Sequence, residues 1–226
     1  MSGGKLSALQ WRVLELLSAL APPWTLTGGG ALVGFHLKHR TTRDLDLFWH
    51  GLQQLESLPE EVRSRLVSEG LEVSPVQSGA TFVRLRVRDG AETCILDLVA
   101  DPVATIESPL QIRVGRALIL IDTPHEILVN KLNALLSRSE LRDLEDVKAL
   151  LAAGGDLERA LADASKKDGG FSPLTLSWVL KELRPASLAQ VAGVNPEKAR
   201  ELEIFRNSLV ERILQLSPPE GGPDRR

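Results

Sequence analysis

The stretch of chain that most constrains the fold is residues 26–49, in which three consecutive glycines precede two alternating aspartates. The run 24–27 favours a short β-strand, and glycines 28–30 predict a turn, because glycine permits tight backbone geometry and close approach. The apolar residues that follow predict a short helix. Backbone N–H groups at such a strand-to-helix turn can bind an anion.

Thirteen residues separate this turn from a second predicted strand, which carries Asp44 and Asp46. Side chains alternate between the two faces of a strand, so both aspartates share one side while Leu45 and Leu47 face a core. A Gly-Gly pair alone is usually only a turn, and an Asp-x-Asp pair alone is usually a solvated strand edge. Together, two carboxylates beside an anion-binding turn favour a site for Mg²⁺ and a triphosphate.

These residues resemble the first motif of the DNA polymerase β-like nucleotidyltransferases, and within them the AbiEii/AbiGii-type toxins. That motif is a strand ending in Gly-Gly, a short helix, a His-Arg pair and an acid-x-acid strand. The matching positions are Gly28, Gly29, Ala31, Leu32, His39, Arg40, Asp44 and Asp46. Gly30 departs from the pattern, because the family commonly has Thr or Ser there. The resemblance implies that Gly28, Gly29 and Gly30 bind the nucleotide.

A third acid, Asp97, lies inside the apolar strand pattern of residues 92–99. An aspartate there is costly unless it is paired or bound to a cation, although a one-sided sheet would simply turn it to solvent. The resemblance implies that Asp97 joins Asp44 and Asp46 as the third carboxylate of a catalytic site. In such a site the three acids bind two Mg²⁺ ions, which stabilise the attacking and leaving oxygens.

The preceding strand, residues 81–88, alternates arginines with apolar residues and ends in an Asp-Gly hairpin signal. Arg84, Arg86 and Arg88 share one face of it. This face is either simply solvated or a phosphate track for an RNA acceptor, since alternating arginines contact a nucleic-acid backbone without reading its sequence.

From residue 123 the hydrophobic period changes from two to about 3.6, which indicates helices. A lysine beside an apolar stripe usually only snorkels, and an Arg-Asp pair on a helix is usually a surface ion pair. Residues 131–150, however, resemble the helical motif of the AbiEii-like family. The matches are Lys131, Leu132, Ala134, Leu135, Arg138, Arg142, Asp143 and Asp146.

The helical motif implies that Lys131 and Arg138 contact the nucleotide and that Lys131 and Asp143 contribute to catalysis. A compact ammonium charge suits a triphosphate that Mg²⁺ does not fully neutralise. The sequence leaves two roles open for Asp143, which either orients Lys131 or Arg138 or accepts the proton of the acceptor hydroxyl.

Composition sets further bounds. The chain has 226 residues, of which 43% are hydrophobic and 25% charged, as in an ordinary globular protein. One cysteine permits no internal disulfide, and with no membrane-length apolar window the expected location is the cytoplasm, without a membrane partner. A net charge of −3 means that an RNA partner would need local basic patches.

The predicted fold class is α+β. A polymerase β-like nucleotidyltransferase domain with a mixed sheet and flanking helices would span residues 1–122, a helical domain 123–216, and a disordered tail 217–226. The resemblance covers roughly residues 26–151. It implies a Mg²⁺-dependent enzyme that moves a nucleoside monophosphate from an NTP to an acceptor hydroxyl. It further suggests a toxin of a toxin–antitoxin system, with tRNA as the acceptor and a cognate antitoxin as a partner.

Two other hypotheses remain at this point. The same scaffold suits transfer to a small molecule or a protein, which the net negative charge mildly favours. The second hypothesis is a degenerate transferase that is retained as a nucleotide-binding module. Its only support is Gly30, which stands where the family has a hydroxyl residue.

Overall fold

The computed structural model describes residues 5–192 and 195–217. These residues divide between two compact units, Met1–Ile127 and Leu128–Arg226. The predicted tail lies outside the described residues from residue 218 onward. No described helix is both long and apolar enough to cross a membrane.

The first unit is built on a seven-stranded mixed sheet with the order β3-β4-β5-β2-β1-β7-β6. In chain order its elements are α1 (Ala8–Leu17), β1 (Thr25–Thr27), α2 (Gly28–Ala31), β2 (Asp44–His50), α3 (Leu58–Ser68), β3 (Glu72–Ser78), β4 (Phe82–Asp89), β5 (Glu92–Asp101), β6 (Leu110–Val114) and β7 (Ala117–Ile121). A π-helical segment, Leu32–His36, continues α2. Strand pairs β2–β5 and β1–β7 are parallel, and the other pairs are antiparallel. The α+β prediction is therefore confirmed.

Helix α1 begins with a complete capping box. The Ser7 hydroxyl accepts from the Gln10 backbone N–H, and the Gln10 side chain accepts from the Ser7 N–H. Its buried residues, among them Leu9, Val13 and Leu17, lie at helical spacing. Local sequence signals therefore suffice to start this helix and to set its inward face.

Strand β2 has the alternation that its sequence predicts. Leu45, Leu47 and Trp49 are buried, while Asp44 and Asp46 are only partly buried. Burial of the two leucines on one face thus fixes the opposite face for the two acids.

Strand β5 is longer than predicted. Asp101, two residues beyond the predicted strand, is its last residue and pairs with His50 of β2. The Asp101 carboxylate also lies 3.1 Å from the His50 ring, so a side-chain contact accompanies the extra pair.

The second unit is helical. Its elements are the later turns of α4 (Pro124–Ser137), then α5 (Leu141–Ala152), α6 (Leu157–Lys167), α7 (Pro173–Glu182), α8 (Pro185–Ala192) and α9 (Pro196–Leu216). The unit boundary lies inside α4, because that helix begins in the first unit.

Candidate active site

The sheet aligns the three predicted acids on one face. In the parallel pairing of β2 with β5, Asp46 lies directly beside Asp97, and Asp44 is two residues away on the same face. Asp97 is only 5% exposed. The sequence could not show that β2 and β5 are neighbours, since this pairing joins strands separated by two others in the chain.

The glycine turn lies against Asp46. Strand β1 pairs Thr27 with Asp46, and Gly28 follows in the left-handed region with φ +58°. A Cβ added to Gly28 would lie 2.6 Å from Asp46 Oδ2, and one added to Gly29 would lie 2.8 Å from an Arg40 nitrogen. The Asp46 carboxylate therefore lies against Gly28 and the Arg40 guanidinium against Gly29. A side chain on either glycine would block this close approach.

Gly30 contributes to packing instead. A Cβ there would lie 3.2 Å from Leu26 Cδ1 and 3.3 Å from Leu45 Cδ2. A side chain at this position would start between two buried leucines rather than beside Asp46. The departure from the family's Thr or Ser therefore gives the helix room to lie close to the sheet.

Arg84 is paired with Asp97, the third predicted acid. Strand β4 pairs it with Asp97, and its Nε and Nη2 donate to the two carboxylate oxygens at 2.7 and 2.6 Å. Its guanidinium carbon also lies 5.5 Å from the centre of the Phe82 ring. The hydrogen bonds to Asp97 are the main reason that the pKa of Arg84 is raised, and the charges of Asp44 and Asp46 add to this.

The acids and glycines suit a hard cation, because their donor atoms are carboxylate oxygens and Gly28 leaves open the space beside Asp46 that a Cβ would fill. Among residues 5–192 and 195–217, however, no three His, Cys, Asp or Glu side chains are gathered closely enough to hold a metal ion. Both oxygens of Asp97 are bound to Arg84 instead. The predicted dinuclear metal site therefore stays a prediction.

A second charged cluster lies in the helical unit. Lys131 Nζ is 2.7 Å from Asp143 Oδ1 and 2.8 Å from Asp146 Oδ2. Lys131 is 7% exposed, and both aspartates are fully buried. Burial alone would lower the pKa of Lys131, but the two carboxylates together outweigh it and raise that pKa.

Arg138 completes this cluster from the helix end. Its Nε and Nη2 donate to the two oxygens of Asp143 at 2.8 and 3.0 Å, and its side chain is 53% exposed. Burial works to raise the pKa of Asp143, but Arg138 and Lys131 together lower it. Lys131 and Arg138 do share a face, as their spacing of seven predicts.

Sequence analysis assigns no function to Asp146 or Arg40, although both match the family motif. It places Arg84 on a solvated face or on a phosphate track for RNA, and not beside Asp97. The Asp-Gly hairpin signal would place Arg84 opposite Ile95, whereas the structure has the turn at Gly90 and Ala91 and therefore places Arg84 opposite Asp97. Nothing equally local links Arg40 to the glycine turn.

Comparisons with protein families and solved structures identify proteins to which this chain is similar. Residues 12–216 match the family described as "Nucleotidyl transferase AbiEii toxin, Type IV TA system". The chain is similar to MenT4, a nucleotidyltransferase toxin from Mycobacterium tuberculosis, with a TM-score of 0.55 and 17% identity over 93% of this chain and 86% of that one. No curated protein sequence matches the chain.

Another solved structure covers as much of the chain. JHP933 from Helicobacter pylori is 21% identical over 92% of each chain, with a TM-score of 0.49. At such identities the likeness to MenT4 speaks for the fold alone. The family match spans nearly the whole chain and contains both charged clusters, so the protein belongs to the AbiEii nucleotidyltransferase toxin family and is a nucleotidyltransferase.

Proposed function

We propose that this enzyme transfers a nucleoside monophosphate from an NTP to an acceptor hydroxyl, with Mg²⁺ held by Asp44, Asp46 and Asp97. The observation that carries the proposal is the position of Asp46. It lies beside Gly28 of the anion-binding turn on one side and beside Asp97 on the other. Phosphate-binding and cation-binding groups therefore meet at one residue.

The reaction needs little covalent chemistry from the protein. The acceptor hydroxyl loses its proton to water as its oxygen bonds to the α-phosphorus, the bond from that phosphorus to the bridging oxygen breaks, and pyrophosphate leaves with the electron pair. Two Mg²⁺ ions, when bound, would supply electrostatic stabilisation of the charge on the attacking and leaving oxygens. The protein's own part is to position the substrates and hold the charges fixed.

The turn at Gly28, Gly29 and Gly30 would hold the β- and γ-phosphates through its backbone N–H groups. The guanidinium of Arg40 lies against Gly29, so it adds a positive charge at the same turn. We include Arg40 among the phosphate-binding residues for this reason.

In the helical cluster we assign contact with the nucleotide first to Arg138, because its side chain is half exposed. Lys131 donates to two buried aspartates, and an ammonium has three N–H donors, so one remains for a phosphate oxygen. Asp143 accepts from both cations and has a lowered pKa, which makes it a poor proton acceptor. Of its two open roles, orienting Lys131 and Arg138 is therefore the one we propose.

We further propose a cytoplasmic toxin whose acceptor is RNA such as tRNA and whose partner is a cognate antitoxin. Membership of a toxin family in toxin–antitoxin systems supports the antitoxin. Arg86, exposed on the same face of β4 as Arg84, remains a candidate contact for the RNA backbone.

The test is to incubate the purified protein with Mg²⁺ and each α-labelled NTP in turn, together with total cellular RNA. We expect label in the tRNA fraction from one preferred NTP, and none from the Asp46→Asn variant. Label found only on protein or on small molecules would show that the acceptor is one of these and not RNA. No label on any acceptor, together with no NTP binding in calorimetry, would contradict the transferase proposal.

A further inference from the structure

Arg84 is held in the acid cluster by three contacts. Two parallel hydrogen bonds engage both oxygens of Asp97, and the Phe82 ring lies 5.5 Å from the guanidinium carbon. The Asp97 side chain is 7% exposed, while that of Arg84 is 40% exposed. A paired guanidinium and carboxylate of this geometry form a strong, charge-assisted contact.

The arrangement places a cation where a metal ligand is required. A carboxylate that accepts two hydrogen bonds from one guanidinium has its oxygens turned to that group. Each oxygen keeps a second lone pair, but Mg²⁺ bound there would lie close to the guanidinium, and the two positive charges would repel each other. The half-exposed Arg84 has room to move, whereas the buried Asp97 does not.

Resting on the proposed function, we propose that Arg84 is an internal counter-ion that competes with the second metal ion for Asp97. Asp44 and Asp46 then form a first cation site outside the pair of Arg84 and Asp97. The second cation binds Asp97 more tightly when Arg84 releases it. Arg84 thereby keeps Asp97 neutralised in the metal-free protein, where a buried and unpaired carboxylate would be costly.

The alternative is that Arg84 only braces β4 against β5. The two roles differ in what removal of the guanidinium does to metal binding. A brace would affect stability alone. A competitor would affect the affinity of the second cation more than that of the first, because Arg84 donates to both oxygens of Asp97 and acts on Asp44 and Asp46 through its charge.

Titration of the metal-free protein with Mn²⁺, followed by electron paramagnetic resonance of the free ion, distinguishes them. We expect wild type to bind one ion well and a second weakly, and Arg84→Gln to bind the second roughly tenfold or more tightly. Arg113→Gln, an exposed arginine on β6 of the same sheet, is the control and should give the wild-type Mn²⁺ isotherm. Adding Asp97→Asn to Arg84→Gln should remove the second ion.

Arg84→Lys keeps the charge but lacks the planar fork, so its second-site affinity should lie between those of wild type and Arg84→Gln. This variant also keeps the test decisive if Arg84→Gln fails to fold. Identical Mn²⁺ isotherms for wild type and both Arg84 variants would overturn the inference.

The outcomes also separate the inference from its premise. Two equally tight ions in wild type would refute the competition while supporting the proposed metal site. No Mn²⁺ bound by wild type or by either Arg84 variant would overturn the metal site itself, and the inference with it.

Discussion

The two charged clusters of this protein use similar residues but differ in exposure. On the sheet, Asp97 pairs with Arg84, whose side chain is 40% exposed, and Asp44 and Asp46 lie on the same face. In the helical unit, Lys131 is nearly buried and contacts Asp143 and Asp146, which are both fully buried. A cluster whose cation is partly exposed can open to bind a ligand, whereas a buried one is suited to hold structure.

The largest effect should follow from Asp46→Asn. This change removes the carboxylate that lies between the glycine turn and Asp97, so we expect nucleotidyl transfer to fall by roughly a thousandfold. Thermal unfolding should change little, since Asp46 is only partly buried. Asp89→Asn, an exposed acid of the same sheet, is the control and should retain full transfer. Near-normal turnover in Asp46→Asn would remove this residue from the site.

Lys131→Ala should act on stability instead. It removes the ammonium that both fully buried aspartates contact, and breaking such a buried pair costs about 3–5 kcal/mol of unfolding free energy. Denaturant unfolding measures this cost, with Lys181→Ala on the exposed face of α7 as the control. From the sequence alone we would expect Lys131→Ala to weaken NTP binding more than stability. A stable Lys131→Ala variant with weakened NTP binding would show that Lys131 acts on the nucleotide rather than on stability.

Gly28→Ala should lower activity by roughly ten- to a hundredfold. The added methyl would meet Asp46 Oδ2 and displace the carboxylate from the turn. Gly90→Ala is a matched control, because Gly90 has a similar left-handed φ of +56° but open space around it. Both variants bear the backbone cost of a side chain in the left-handed region, and only Gly28→Ala should lose transfer. Equal losses in both would mean that backbone strain, not Asp46, is responsible.

The smallest effect concerns acid stability. The folded-state pKa of Asp143 is lowered from its ordinary value of 3.8, so its pairing stabilises the protein above that pH. This contribution is lost as the pH falls toward the folded-state pKa. Unfolding free energy should therefore fall more steeply between roughly pH 4 and pH 2 in wild type than in Asp143→Asn. Parallel curves would show that Asp143 titrates alike in the folded and unfolded protein.

Sequence reasoning found the glycine turn, the two alternating acids and the helical motif because each is a local pattern. Alternation of Leu45 and Leu47 sets the face of β2, and the Asp-Gly signal correctly predicts a hairpin between β4 and β5, although the turn lies one residue later, at Gly90 and Ala91. The long-range pairing of β2 with β5, which places Asp97 beside Asp46, has no such local signal and rested on family resemblance. The partners of Lys131 were missed for a related reason, since spacing shows which face a side chain takes but not which charges meet it.

The central claim is that Asp44, Asp46 and Asp97, beside the Gly28 turn, bind the metal and the nucleotide. A crystal structure with Mn²⁺ and a non-hydrolysable NTP tests it most directly through the anomalous signal of manganese. We predict a manganese peak ligated by Asp44 and Asp46, with the triphosphate on the glycine turn. A nucleotide and metal bound elsewhere, with these carboxylates unligated, would contradict the account.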